Sequence, residues 1–367
     1  MVESTSLRRF RIVYVGDLSA GATGAMRMVA LRSLGFDVVA IDSSIGRVTP
    51  LSHPFLYASI KIHRPLDPTG VNRQILSRLN DCDILWIDKG VSIWPSTLKA
   101  VRTRSPRVRI IGYSPDDMLN PKMSSSYFTA TLPLYDSFFT TKSYGVAELK
   151  ALGCRQVVFI ENAYDPQAHR PIIPAETHQL FACNVGFIGT YERDRADMIE
   201  RLARSGIPVV VRGNRWGRVK ARGIGGITVL PEAIGDDYCR AIGSTRINLA
   251  FLCKANRDLQ TTRSIEIPAC QGFMLAERTA EHQSLFSEGR EADYFQGFDE
   301  LTAKIKKYLA DEPLRQEIAA AGRSRCIRDD YTYAGRFRRL LHRINTPLPS
   351  PADSAASPLL PADSASR

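Results

Sequence analysis

The groups best suited to chemistry in this chain are gathered in residues 258–276, where Asp258, Arg263 and Glu266 precede Pro268, Cys270, Gly272 and the apolar run 273–276. Ser264 reads as an N-cap, Pro268 falls in the first turn where its missing N–H is tolerated, and Gly272 ends the helix. Glu266 is therefore expected near a helix N-terminus. There the macrodipole and the free backbone N–H groups favour its ionised, acceptor-only form, which can grip a pair of hydroxyls. Arg263 beside it can hold phosphate oxygens. A capped helix carrying a solvated Glu and Arg is the purely structural alternative.

Three further groups stand where strands are expected to end. Asp116 and Asp117 follow the apolar run 108–113, at the carboxyl end where open parallel sheets place ligands, although two acids after Pro115 equally suit a turn. Spacing alone does not separate their roles. Asn256 and Arg257 follow the apolar run 247–252. Arg212 leaves the run 209–213 and opens a basic stretch with Arg215, Arg218, Lys220 and Arg222, in which Trp216 is either a lid aromatic or a hydrophobic plug.

The elements that must position these groups alternate. A strand over 11–16, a loop carrying Gly16, Gly21 and Gly24, and a helix over 26–34 open a nucleotide-type α/β unit. The loop lacks the G-x-G-x-x-G spacing, so a dinucleotide site is not supported. Strands follow at 36–41, 83–88, 108–113, 137–141 and 156–160, with helical patterns at 71–79, 96–102 and 143–152, which argues for a parallel sheet covered on both faces. A proline-rich linker at 166–174 contains His169, expected to be exposed. A second unit starts afresh with a strand at 184–189, a polar loop at 190–195 and a helix at 196–203. Strands at 209–213, 247–252 and 273–276 and helices at 236–242, 298–309, 314–328 and 333–344 complete it. The resulting domains are 10–165, a linker 166–182, a second unit 183–330, a last helix 331–345 and a tail 346–367. That tail twice carries Pro-Ala-Asp-Ser-Ala and is expected to be disordered.

The chain has 367 residues, too many for one ordinary core and suited to two domains of about 150 each. Seven cysteines stand without C-x-x-C or histidine spacing, so neither a disulfide framework nor a zinc site is indicated, and a reducing cytoplasm is expected. The apolar run near the N-terminus is far too short for a signal peptide or membrane span. A net charge of +11 calls for an anionic partner without naming it. Arg323, Arg325, Arg328, Arg336, Arg338, Arg339 and Arg343 crowd the last helices, where a solvated face is the plain reading.

Over 263–273 the chain resembles the CgeB-like (spore maturation protein type) family of group 1 glycosyltransferases. Arg263, Glu266, Pro268, Ala269, Cys270, Gly272 and Phe273 match that family's segment, and residues 10–343 follow it in pattern. The resemblance implies an α/β GT-B fold: two Rossmann-like domains facing a cleft, with a C-terminal helix crossing back to the first. It implies transfer of a sugar from a nucleotide-diphosphate donor, a co-substrate, with no cofactor, no metal and retention of configuration. The broader group grips the donor with two Glu residues separated by seven others; here Glu266 is the second, and Asp258 stands at the first, one methylene shorter. The donor set implied is Gly189, Thr190, Arg193, Arg212, Asn256, Asp258, Arg263 and Glu266, with Asp116, Asp117 and Glu266 catalytic and Gly16, Gly21 and Gly24 on an acceptor-side loop. The acceptor would be a glycan, a lipid-linked compound or a protein, with peripheral contact to an anionic membrane and no specific nucleic acid. A catalytically inactive GT-B scaffold and a nucleic-acid-binding protein are the alternatives, the latter without any RNA-recognition, KH or helix-turn-helix signature.

Overall fold

The computed structural model describes residues 10–46, 48–172 and 180–344; the expected disordered tail, the end of the crossing helix and part of the linker lie outside them. The first domain is built on β1 (Arg11–Gly16), β2 (Asp37–Asp42), β3 (Ile84–Asp88), β4 (Arg109–Ser114), β5 (Ser137–Thr140) and β6 (Val157–Phe159), all parallel in the order β2-β1-β3-β4-β5-β6. The second is built on β7 (Cys183–Ile188), β8 (Val209–Arg212), β9 (Ile227–Leu230), β10 (Thr245–Ala250), β11 (Met274–Glu277) and β12 (Asp293–Phe295), parallel in the order β12-β11-β10-β7-β8-β9. Two doubly wound sheets of this kind make the GT-B arrangement that the sequence led us to expect.

Helices cover both faces, so the central strands are apolar throughout and alternate residues serve different cores. Val13, Val15, Leu85 and Ile87 face one layer, and Ile12, Tyr14, Ile84 and Trp86 the other. The second layer is completed from the far end of the chain. Tyr333, Phe337, Leu340, Leu341 and Ile344, spaced as one helical stripe, pack on it from the helix Tyr333–Arg343. Thr332 caps this helix by accepting from the Gly335 N–H at 2.9 Å. The Tyr164 N–H donates to the Tyr331 carbonyl at 3.2 Å, and the Tyr333 N–H returns a bond to the Tyr164 carbonyl at 3.0 Å. The C-terminal helix thus crosses back to the first domain.

Several elements were not legible. The strands β9 and β12 are short, and β12 starts on a buried Asp293 whose carboxylate is held by Lys304 and Tyr308. The helix Pro54–Lys61 was also missed. Trp216 is a plug: it is buried, and its Nε1–H donates to the Gly189 carbonyl at 2.8 Å. Arg336 does not belong to a solvated basic face. It is buried against the Tyr331 ring and pairs with Glu161 at 3.1 Å, burial pulling its pKa down.

Phe337 lies 5.0 Å from Trp86 and 6.1 Å from Tyr113, ring centre to ring centre, with no exposed surface. Phe337→Ala should cost about 3–5 kcal/mol of stability, measured as a lowered urea midpoint. A change below about 1 kcal/mol would mean that the crossing helix contributes little to holding the first domain together.

Candidate functional site

Because all strands of a sheet are parallel, their carboxyl ends share one edge. In the second sheet the chain runs outward from β7 through β8 to β9, then returns to β10 and runs the other way, so the crevice between β7 and β10 is the switch point where ligands bind. Gly189 ends β7 there. A Cβ on Gly213 would fall 2.1 Å from the Gly189 carbonyl oxygen, and one on Gly189 would fall 2.8 Å from the Phe187 ring, so close approach of these loops demands both glycines. Thr190 is exposed beside them.

Arg193 does not turn into this crevice. It begins the helix Arg193–Arg204 with its side chain 87% exposed, 3.9 Å from Asp197. Arg195, two residues on, points inward: its guanidinium donates to the carbonyls of Thr190 (3.2 Å), Leu252 (3.2 Å) and Phe251 (3.3 Å). Burial lowers its pKa, and the neighbouring Arg263 lowers it further. Arg212 donates to the Leu180 carbonyl at 3.5 Å and covers the Phe181 ring, away from Arg195.

Arg263 opens the helix Arg263–Ala269, whose N-cap is Thr262, not Ser264. The Ser264 hydroxyl is engaged inside: it accepts from the Thr261 N–H at 3.0 Å and meets His282 Nε2 at 2.7 Å. His282 Nδ1 sits 2.6 Å from the Glu277 carbonyl, an obligate acceptor, so Nδ1 carries the proton and Nε2 accepts from Ser264. Both residues are wholly buried, which makes the couple an anchor for the helix start and keeps it from any substrate. Pro268 lies in the last turn, and Gln271, at φ +61°, makes the left-handed turn assigned above to Gly272. Gly272 is instead a close-packing position, since a Cβ there would meet Ile242 at 2.5 Å.

Glu266 is buried rather than solvated. One carboxylate oxygen accepts from the Tyr238 hydroxyl at 2.6 Å, and the other lies 3.5 Å from His169 Nε2. His169, expected in an exposed linker, is itself buried; its Nδ1 accepts from the Asp165 N–H at 3.1 Å, leaving the proton on Nε2 facing Glu266. Arg263 has no such partner. Its Nε is buried without a hydrogen bond, and its guanidinium has no ion pair among the described residues. The residue as a whole is only partly buried, so the unmatched atom is one nitrogen of a guanidinium that keeps some access to solvent.

The two domains meet along an ionic seam. Asn256 accepts from the Asp117 N–H at 2.7 Å, and the Tyr144 hydroxyl donates to the Asn256 carbonyl at 3.0 Å. Arg257, in the left-handed region at φ +47°, donates to both oxygens of Asp117 at 2.7 and 3.0 Å and to both oxygens of Glu148 at 2.9 and 2.8 Å. The carboxylate of Asp258 is buried and bonded by Lys142 of the first domain, by Asn256 Nδ2 at 2.8 Å and by the Cys253 N–H at 3.3 Å. Burial raises the Asp258 pKa against the opposing pull of Lys142. Asp116 and Asp117 therefore separate: Asp117 is consumed by the seam, whereas Asp116 faces the first domain and pairs with Lys89 at 2.7 Å.

Lys89 leads to a cavity of about 700 Å³ at the carboxyl ends of β1 and β3, the switch point of the first sheet. On its floor Asp88 accepts from the Tyr14 hydroxyl and from Arg27 Nε, each at 2.7 Å. Its second oxygen and one Arg27 nitrogen are buried without partners. Gly24 lines this cavity, and a Cβ there would stand 2.4 Å from the Asp17 carbonyl oxygen; Gly21 makes the turn at φ +78°. Gly16 needs its bare backbone to clear the Tyr14 ring. Lys142, Arg195, Tyr238, His169, Arg27 and Asp88 were not singled out from sequence, because each acquires its meaning from a partner tens to hundreds of residues away. Among the described residues no group of three or more His, Cys, Asp or Glu side chains is placed to hold a metal ion.

Two outcomes test this geometry. Lys142→Met leaves Asp258 buried and unpaired and should cost about 3–5 kcal/mol in urea denaturation, while Lys142→Met with Asp258→Asn should recover most of the loss. Equal destabilisation by the single and double variants would show that the pair is not coupled. Burial lowers the His282 pKa, so below about 6.5 the unfolded chain takes up a proton that the folded chain refuses. Stability contributed above that pH is lost as pH falls toward the depressed folded value. His282→Gln should accordingly show a smaller drop in urea midpoint between pH 7.5 and 5.5 than the wild type.

Residues 193–342 match the family model described as glycosyl transferase-like. No curated protein matches the chain by sequence. Among solved structures, the fold is similar to sucrose-phosphate synthase (tll1590) from Thermosynechococcus elongatus, with 14% identity, TM-score 0.64, and coverage of 92% of this chain and 99% of that one. It is similar to Anabaena Alr3699/HepE in complex with UDP-glucose, with 13% identity, TM-score 0.63, and coverage of 92% and 100%. An alpha-glucosyltransferase in complex with UDP and a 13-mer DNA containing an HMU base matches at 14% identity, TM-score 0.63, and coverage of 92% and 100%. The fold is therefore GT-B, and the stretch that supplies Arg195, Asp258, Arg263 and Glu266 is a glycosyl transferase-like segment.

Proposed function

We propose that the chain is a glycosyltransferase that moves a sugar from a nucleoside-diphosphate donor, held at the β7/β10 switch point, to an acceptor hydroxyl presented from the first-domain cavity. The observation that carries this reading is Arg263, a partly buried cation without a counterion beside a second cation, Arg195, at the carboxyl edge of a parallel sheet. Two positive groups preorganised in a desolvated crevice stabilise the charge that develops on a departing diphosphate. In this reading they supply the positive charge at the diphosphate, so no metal is required, and the donor is a co-substrate with no further cofactor. Glu266, positioned by Tyr238 and His169, keeps lone pairs for the donor's hydroxyls. Asp258 contributes through the seam, its reach shortened by one methylene and its charge answered by Lys142. Asp116, beside the cavity and tied only to an exposed lysine, is the carboxylate available to an acceptor hydroxyl. Gly16, Gly21 and Gly24 shape the acceptor side. The CgeB-like subtype and a retaining outcome belong to this proposal and rest on the sequence resemblance. The uridine nucleotides bound by structurally similar proteins make UDP-glucose the first donor to try and UDP the first product to test for binding.

An inactive GT-B scaffold is the second reading, favoured by the engagement of both Asp117 and Asp258 in the seam. Thermal shift with UDP, GDP, dTDP and CMP, followed by assay of nucleotide release from the corresponding sugar donors, separates the two. One diphosphate should raise the melting temperature. Arg263→Ala should weaken that ligand by about ten- to a hundredfold, the value of one charge-assisted contact, whereas Arg193→Ala should change it by less than about twofold. Protection without turnover would establish the scaffold, and no protection by any nucleotide would overturn the glycosyltransferase reading.

A further inference from the structure

We infer that the first-domain face around the helix Pro54–Lys61 docks on an anionic lipid bilayer, and that the acceptor entering the adjacent cavity is a lipid-borne hydroxyl compound. The second half rests on the function proposed above. The first half stands on the surface itself.

Four large apolar side chains crowd this short segment and cover nothing: Leu51 is 97% exposed, Phe55 82%, Ile62 67% and Leu66 51%. Phe55 and Ala58 are exposed in the helix and Ile62, at its C-cap, follows them at the same three- and four-residue spacing, while Leu56 and Ser59 are buried against the domain. A single exposed apolar residue is ordinary; a cluster of them on one short helix and its flanking loops marks an interaction surface. The charge along this segment of the chain has one sign. No Asp or Glu occurs between Asp42 and Asp67, and Lys61 and Arg64 are exposed within it. An apolar stripe edged by cations is the surface that lies in the headgroup region of an anionic membrane.

The same segment forms the rim of the cavity. Ile60 and Leu66 line its mouth together with Ile45 and Met123, all partly exposed, and Lys122 stands with them. The unmatched polar atoms of Arg27 and Asp88 lie at the floor. The cavity is thus polar at depth and apolar at its opening, the gradient that an amphiphile follows when its head enters and its chains stay in the bilayer. Nucleic acid suits this face less well, because strand binding relies on several exposed stacking aromatics, and on this helix Phe55 is exposed while Tyr57 is half-buried under Lys61. Among the described residues no helix is long and apolar enough to cross a membrane, so the contact is peripheral.

The test is sedimentation of the full chain with sucrose-loaded vesicles, of phosphatidylcholine alone or with about one third phosphatidylglycerol, at low and physiological salt. Wild type should sediment with the anionic vesicles and hardly with the neutral ones. Phe55→Ser with Ile62→Ser should weaken this at least tenfold. Lys61→Glu with Arg64→Glu should weaken it by about fivefold or more per charge at low salt and by less at high salt. All four positions are exposed, so the nucleotide-induced shift in melting temperature should be unchanged in both variants. Wild type that stays in the supernatant, or variants that sediment as it does, would overturn the docking. So would a stripe that proves to bind a second copy or a protein partner, or an oligonucleotide that competes the vesicles off. Vesicle binding without protection by any nucleotide would leave the docking standing and remove the glycosyltransferase reading, while nucleotide protection without vesicle binding would do the reverse.

Discussion

The arrangement of this molecule depends on the ionic seam between its two sheets, in which Lys142 meets Asp258 and Arg257 meets Asp117 and Glu148. These pairs differ in kind. Arg257 is nearly half exposed, and screening leaves its contacts a modest share of stability, although doubly forked geometry gives them direction. The Lys142–Asp258 pair is buried on both sides, and the desolvation it endures roughly offsets its attraction. What such a pair supplies is position. The loop after β10 can lie against the exit of β4 only where each buried charge finds its partner, so the seam fixes how the edge carrying Arg195 and Arg263 is presented to the first domain.

That presentation explains the uneven distribution of satisfied and unsatisfied charge. Carboxylates near the seam have protein partners, whereas two cations at the second sheet's switch point have carbonyls or nothing. The first sheet repeats the pattern in reverse, with an Arg27–Asp88 pair whose outer atoms are left open at the floor of a 700 Å³ cavity. Buried polar groups are almost always matched in a folded chain, and the unmatched atoms of Arg263, Arg27 and Asp88 are among the few exceptions here, with others in the core and on the last helix. The crossing helix holds one of these edges in place, because Tyr333 and Tyr113 stack around Arg27 from below.

The net charge of +11 is likewise not one property. Arg336 is a packing residue, Arg257 a clamp, Arg195 is turned inward onto backbone carbonyls, Arg263 lies beside it without an ion pair among the described residues, and Lys61 and Arg64 edge an apolar stripe. Only the last of these resembles the surface field that composition suggests.

The sequence alone determined the two parallel sheets, since apolar runs of strand length alternating with helical spacing admit few other solutions, and it determined that Asn256 and Arg257 lie at a strand's carboxyl end. It also marked Arg263 and Glu266, whose neighbours along the chain make them conspicuous. It misjudged whatever a distant partner decides. Arg193 and Arg195 are both charged residues of one helical turn, and only the carbonyls of Leu252 and Phe251, more than fifty residues away, choose Arg195 to face inward. Asp116 and Asp117 are chemically identical until Arg257 takes one of them. His169 reads as linker until Glu266 and Tyr238 close over it. Local pattern fixes backbone conformation because the relevant energies are local, whereas burial and charge pairing belong to the packed whole and become visible only once the two domains are in contact.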